Sequence, residues 1–295
     1  MVLRLDPRLP VVWRTPTSIQ FGISLPVVIM HDVTIAAERM IAALEKGVTD
    51  AGVAMIGQSA GASAAEVVEL LAALRPALLP PRESRLHRVL IVGTGTTTQR
   101  LVQVLASAGF DVWIAGDVAA AEAQDCDFAI AVGHFVIDPS LYGIWLRRDI
   151  PHLGVVLSDA AVSIGPLIQP GRSACLYCLQ FYATESDPAW PAMASQLWGR
   201  RSLVDTELVA SEVAARAARI VIGWFQSSPH NQQETLDVAS GQVSTAEFLP
   251  HPSCGCLQPG VANALATAPT PQGTGLATAA PGVLGPTTPT APTRG

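Results

Sequence analysis

Charge is scarce in this sequence. Of its 295 residues only 14% are Asp, Glu, Lys or Arg, and the formal balance is −6 at pH 7. Binding along a nucleic-acid backbone calls for clustered cations, so no nucleic-acid partner is expected. Long apolar runs are missing as well. No stretch approaches the roughly 20 residues of a membrane-spanning helix, and Met1-Val-Leu-Arg-Leu-Asp-Pro7 lacks the apolar segment of a signal peptide. The expectation is a cytoplasmic protein with no membrane partner. Cysteines number only five, and in a reducing compartment that favours metal ligation over disulfides. No Ser-His-Asp spacing and no histidine cluster with an open metal position stands out, so no catalytic residue is assigned.

What is present is apolar material, 49% of the chain, enough for a sizeable core and two domains. Residues 1–80 read as a small α+β domain. Val11 to Arg14 and Ser18 to Gly22 are strands around a Thr15-Pro16-Thr17 turn, and Val27 to Met30 is a third strand. Three helices follow. Ile35 to Lys46 stacks Ala37, Met40, Ile41 and Leu44 on one face and stops at Gly47, and Asp50 to Gly57 is shorter. Ser63-Ala-Ala-Glu66 has the form of a capping box, with Val67, Leu70, Leu71 and Leu74 at helical spacing before Pro76. Hairpin, strand and three helices suggest a winged-helix-like module, a scaffold for DNA or peptide. The third helix offers only Glu66 and Glu69 as charges, which disfavours DNA. An extended peptide added beside Val27, Val28 and Ile29, with Val67 and Leu71 on the neighbouring helix, is the alternative to a purely structural domain.

Leu79-Pro-Pro-Arg-Glu-Ser84 is proline-stiffened and polar, so residues 81–87 read as a linker and 88–258 as a second domain. Arg88 to Val92 is a buried-strand pattern that runs into Gly93-Thr-Gly95-Thr-Thr-Thr98 and then a helix. That is the start of a nucleotide-binding βα unit, with Thr98 in the place of the third glycine and Asp117, after the strand Asp111 to Ala115, near the place of a ribose-binding acid. A fold that kept this backbone and lost the ligand is the competing reading. Strands at Asp127 to Val132 and His152 to Leu157, with a helix from Asp138-Pro139 between them, continue the alternation. The fold class is therefore α/β: a doubly wound, mainly parallel Rossmann-like sheet behind the N-terminal domain. Ser202 to Asp205 opens a long helix through Trp224 that carries the pair Glu212 and Arg216, and Thr235 to Leu249 is a hairpin. Residues 259–295, rich in alanine, threonine, proline and glycine, read as a disordered tail.

Four of the cysteines come as two close pairs, Cys175-Leu-Tyr-Cys178 and Cys254-Gly-Cys256. A C-x-x-C turn brings two thiolates to one ion, and a second pair closes a four-sulfur, structural zinc site with no open position. Two disulfides or unpaired thiols are the competing readings. The remaining Cys126, at the start of an apolar strand, reads as buried and unreactive. Phe181 to Gly199, with Tyr182, Trp190, Met193 and Trp198, reads as a crossover loop that covers the nucleotide cleft or meets a partner, with its aromatics anchored in the core as the competing reading.

The Gly-rich βα unit, the Pro-Gly turn into C-x-x-C and the terminal cysteine pair resemble the ThiF-like adenylating family, relatives of ubiquitin-activating enzymes. Val12-Trp-Arg14, Pro170-Gly-Arg-Ser-Ala-Cys-Leu-Tyr-Cys178, Asp187-Pro-Ala-Trp-Pro191 and His251-Pro-Ser-Cys-Gly-Cys256 are similar, more narrowly, to actinobacterial leader-peptide-binding partners of thiazole/oxazole cyclodehydratases. The resemblance covers residues 8–258. It implies an N-terminal element that captures the leader of a ribosomal precursor peptide, a ThiF-like domain that presents it to a YcaO-type cyclodehydratase, and a homodimer.

Departures from that pattern bear on activity. Where the resemblance implies an Asp-Asn pair for Mg-ATP, this chain has Gly133-His-Phe135, and Arg147 and Arg148 come only at the end of the next element. From Leu179 to Ser253 there is no cysteine to form a thioester. The expectation is a peptide-binding scaffold without adenylation activity, with ATP binding left open. An active ATP-dependent adenylating enzyme and an NAD(P)-dependent oxidoreductase are the alternatives.

Overall fold

The computed structural model describes residues 2–80, 86–229 and 231–257, and the chain divides into two compact units at the boundary between residues 84 and 85. The tail assigned to 259–295 lies outside the described residues, as does most of the linker assigned to 81–87.

In the first unit the strands are β1 (Val2–Leu3), β2 (Val11–Thr15), β3 (Ser18–Phe21), β4 (Val28–Met30) and β5 (Val48–Thr49), and the helices are α1 (Ile35–Lys46), α2 (Asp50–Ser59) and α3 (Ala64–Leu74). β2 and β3 form the expected hairpin, and β4 pairs antiparallel with β3, Phe21 opposite Val28 and Ile19 opposite Met30. The alternation of β3 turns Ile19 and Phe21 inward to a core shared with Met40, Leu44, Val53, Leu70 and Leu74. Ala36, not Ala37, is the buried alanine of α1. Thr34 Oγ1 accepts from Ala37 N–H at 3.1 Å to start α1, and Gly47, at φ +90°, ends it. The capping box of α3 is present: Ser63 Oγ accepts from Glu66 N–H at 3.2 Å and Glu66 Oε2 accepts from Ser63 N–H at 2.7 Å.

The second unit contains β6 (Arg88–Val92), α4 (Thr96–Ser107), β7 (Asp111–Ala115), α5 (Val118–Ala123), β8 (Phe128–His134), β9 (His152–Leu157), β10 (Ala161–Ile168), α6 (Leu176–Ser186), α7 (Trp190–Leu197), α8 (Glu207–Phe225), β11 (Gln233–Asp237) and β12 (Val243–Ala246). The sheet order is β12-β11-β10-β9-β8-β6-β7. β7, β6, β8 and β9 are parallel neighbours, and β10, β11 and β12 extend the sheet as an antiparallel meander. The strands are apolar at consecutive positions because both faces are covered. Val89 and Ile91 face a cluster with Leu101 and Leu105 of α4 and Val213 and Val221 of α8. Leu90 and Val92 face another with Tyr142, Trp145, Leu176 and Leu179. This is the expected α/β, Rossmann-like sheet.

Three local expectations are corrected. Residues 139–148 form two 3₁₀ turns, Pro139–Leu141 and Leu146–Arg148, rather than a helix, because Tyr142, Ile144, Trp145 and Leu146 are all drawn into the core instead of one helical stripe. The crossover after the first cysteine pair is two helices, α6 and α7, in which Trp190 is buried beside Val136 and Ala194 while Trp198 stays exposed. Finally, α8 starts at Glu207 with Thr206 as its cap, which frees Asp205 for another contact.

Candidate functional site

The cysteine pairs converge. Cys175 caps the start of α6 and Cys178 lies in its first turn, while the β11–β12 hairpin returns the chain so that Cys254 and Cys256 reach them. Sγ–Sγ distances are 3.7 Å for Cys175–Cys178, 3.7 Å for Cys175–Cys254 and 3.5 Å for Cys178–Cys256, and all four sulfurs lie within 4.8 Å of one another. Disulfides need sulfurs about 2.05 Å apart, so these are separate thiols. A tetrahedral ion with bonds of about 2.3 Å to sulfur requires edges of about 3.8 Å, so the donor set fits such an ion. Hydrogen bonding from Cys175 holds the Cys178 thiol well below its ordinary range, and the same contact pushes the Cys175 thiol up, so the protons are shared unevenly across the cluster. Around it, His251 N–H donates to Cys178 Sγ at 3.3 Å, and the His251 ring stacks on Phe181 and meets Glu185 Oε1 at 2.9 Å. This outer layer orients the ligands. Cys126, by contrast, is isolated, and burial pushes its thiol up to about 11.

The second feature is a cleft of about 360 Å³ at the carboxyl ends of β6 and β8, lined by Gly93, Thr94, Asp117, His134, Trp198 and Arg200 among others. Gly93, at φ +148°, must lack a side chain because a Cβ would lie 2.8 Å from the Val132 Cβ and carbonyl oxygen. Thr98, in the third-glycine position, is buried in α4 and is not one of the residues lining the cleft; its hydroxyl packs behind Gly93 and has no hydrogen-bond partner among the described residues. Asp117 borders the cleft, but its Oδ1 accepts from Ala120 N–H at 2.8 Å as the cap of α5.

Helix α4 starts at the Gly-rich turn, and its first amides are where a phosphate would be held. They are already taken. Asp205 Oδ2 accepts from Thr96 N–H at 2.9 Å, and its Oδ1 accepts from Thr97 N–H at 2.8 Å and from the Thr97 hydroxyl at 2.6 Å. Gly95, at φ +106°, makes room: a Cβ there would collide with the Asp205 carboxylate. His134 closes the other side. Ser202 N–H donates to its Nδ1 at 3.3 Å, which leaves the proton on Nε2, 3.4 Å from the Thr94 carbonyl and 3.9 Å from Asp205 Oδ2. Arg201 donates to Thr94 Oγ1 at 3.0 Å, so the segment from Trp198 to Thr206 is fastened across the Gly-rich turn. Nucleotide phosphates do not fit this seat as it stands, because an anion already sits there. Arg147 and Arg148 are turned to Glu122 and Asp125 at 2.9 and 3.1 Å.

The sequence-predicted residues thus fall in three places. Cys175, Cys178, Cys254 and Cys256 are together, Gly93 and Asp117 border one cleft, and Gly95 and Thr98 lie beside it, Gly95 against the Asp205 carboxylate and Thr98 behind Gly93. In the first unit Val27 and Ile29 are exposed, Val28 and Leu71 are half-buried, and Val67 belongs to the core and is closed to a ligand. Asp205 is the residue that sequence reasoning misplaced, as part of a helix cap. No local pattern points to partners 108 and 109 positions away.

No protein-family model matches the sequence, and no curated protein matches it. Solved structures do. A heterocyclase in complex with substrate and cofactor aligns at TM-score 0.62 and 13% identity over 86% of this chain and 39% of that one. The heterocyclase TruD aligns at 0.61 and 14% over 87% and 42%, so this chain spans about two fifths of the length of these heterocyclases. The Escherichia coli MccB structure with ATP aligns at 0.54 and 10% over 87% of this chain and 99% of MccB. The chain therefore shares the fold of heterocyclases and of MccB, the Rossmann-like α/β fold that the ThiF-like resemblance implied.

Proposed function

We propose that this protein is a peptide-binding scaffold that captures the leader of a ribosomal precursor peptide through its first unit, winged-helix-like in character, and presents it to a YcaO-type cyclodehydratase. The observation that carries the reading is the free edge of β4. Among the described residues β4 is paired only with β3, and Ile29 on it and Val27 just before it are exposed. An extended peptide can add there as a further strand, with main-chain bonds for affinity and apolar contacts for choice. Solved structures of similar fold include a heterocyclase in complex with substrate and cofactor and the biosynthetic enzyme MccB in complex with N-formylated MccA, which supports the reading.

The scaffold has no adenylation activity of its own. His134 stands where the resemblance implies a magnesium carboxylate, and Asp205 fills the seat that phosphate would need. Negative charge at that point repels the group that adenylation must stabilise. Zinc held by Cys175, Cys178, Cys254 and Cys256 is structural, tying the start of α6 to the chain beyond β12. Titration of fluorescein-labelled leader peptides of thiazole/oxazole-modified precursors onto the full chain tests the reading. Saturable binding that weakens at least about tenfold in Val28→Glu or Leu71→Glu is expected, with neither Mg-dependent pyrophosphate exchange nor NADH binding. Absence of binding across such a panel, or pyrophosphate exchange with a carboxylate substrate, contradicts it.

A further inference from the structure

The Asp205 contact says more than that a cleft is blocked. Its carboxylate meets the first turn of a 12-residue helix as a bound phosphate oxygen pair would: two backbone N–H groups and one hydroxyl converge on two oxygens. The side chain is 9% exposed, so the interaction is shielded from solvent and its negative charge is balanced mainly by the amides of α4. Asp205 does not belong to α4, and it is not needed by α8, which Thr206 caps by accepting from Val209 N–H at 3.4 Å. It is delivered by a strap fixed at three further points. Arg201 is bonded to Thr94, Ser202 N–H to His134, and the Ser202 hydroxyl to the Ser158 carbonyl. Gly95 leaves the space that the carboxylate enters.

We infer that Asp205 is an internal stand-in for phosphate. The Trp198–Thr206 strap holds it in the anion seat of α4, and this carboxylate, rather than any loss of the Gly-rich backbone, is what makes the cleft refuse polyphosphates. The seat itself is intact. Gly93 and Gly95 keep the turn, the Thr96 and Thr97 amides point into it, and the Arg201 guanidinium stands beside it on Thr94. Removing one negative charge therefore restores an anion site. The inference concerns the second unit alone and holds whether or not the first unit binds a leader peptide.

Chemical rescue tests it. In the full-length Asp205→Ala variant the α4 amides lose their partner, and the melting temperature falls by a few degrees, about 2–4 °C. Adding inorganic pyrophosphate, against chloride of equal ionic strength, restores most of that loss in the variant and leaves the wild type unmoved. By calorimetric titration the variant binds pyrophosphate at least about tenfold more tightly than the wild type, the factor expected for one charge-assisted hydrogen bond regained. Should Asp205→Ala give no cooperative melt, Asp205→Ser, which empties the seat of its carboxylate and keeps a small polar side chain, is titrated in its place and is expected to show the same gain. Equal pyrophosphate affinity in wild type and variant, or a destabilised variant that the anion does not rescue, overturns the inference and makes Asp205 a structural cap only.

Discussion

Asp205 and Thr97, 108 positions apart, share two hydrogen bonds: one carboxylate oxygen of Asp205 accepts both the backbone N–H and the hydroxyl of Thr97, at 2.8 and 2.6 Å. This pair joins the segment before α8 to the first turn of α4, and the other oxygen of the same carboxylate, bonded to Thr96 N–H, explains why Gly95 is glycine. Gly95→Ala adds a Cβ where the carboxylate sits and forces a non-glycine residue into φ +106°. A loss of about 1–3 kcal/mol is expected. In an Asp205→Ala background the steric part disappears, so a double-mutant cycle by urea unfolding should give a coupling of at least about 0.5 kcal/mol. Strict additivity would place the carboxylate elsewhere.

The cysteine cluster predicts one metal ion per chain. Purified protein should contain about one equivalent of zinc, and Cys175→Ser should lose it together with several kcal/mol of stability, since a structural zinc contributes on the order of 10 kcal/mol in small domains. Cys126 gives the internal control. Burial holds its thiol up at about 11, so no thiol should react quickly with a thiol reagent at neutral pH until a chelator opens the cluster. Metal-free protein of unchanged stability would remove the clasp from the account.

Much of the second unit was legible in the sequence. Arg88 to Val92 and Asp111 to Ala115 form strands with the boundaries expected, because a continuous apolar run bounded by glycine or charge has few other solutions in a doubly covered sheet. The convergence of the four cysteines was legible too, since their paired spacing carries its own chemistry. What was hidden depends on partners remote in the chain. Ser202 to Asp205 has the local look of a cap, and only the position of α4 shows that Asp205 is spent elsewhere. Likewise Asp138-Pro139 has the start signals of a helix, and the burial of Tyr142 and Trp145 together, a tertiary demand, breaks the segment into 3₁₀ turns. Val67 fits an amphipathic stripe on paper, but the helix face it lies on is the one turned to the core.

His152 makes stability depend on pH. It is fully buried beside Trp145, its Nδ1–H donates to the Ile150 carbonyl at 2.9 Å, and its Nε2 has no partner among the described residues. Burial lowers its pKa from 6.5 to about 4. The unfolded chain takes up this proton near pH 6.5 and the folded chain does not until near pH 4, so stability present at neutral pH is lost as the pH falls through that window. The loss attributable to His152 is about 3 kcal/mol. Urea unfolding from pH 7 to pH 4 should show it, and His152→Leu should flatten the profile; an equally steep profile in that variant would assign the effect to other groups.

The most direct test of the central claim is hydrogen–deuterium exchange across Val28–Met30 with and without a saturating leader peptide. Strand addition predicts that amides of β4 exchange more slowly in the complex while those of β2, on the far edge of the same sheet, are unchanged. Saturable binding with no change in β4 would contradict the account, because the peptide would then be held somewhere other than the edge on which the proposed function rests.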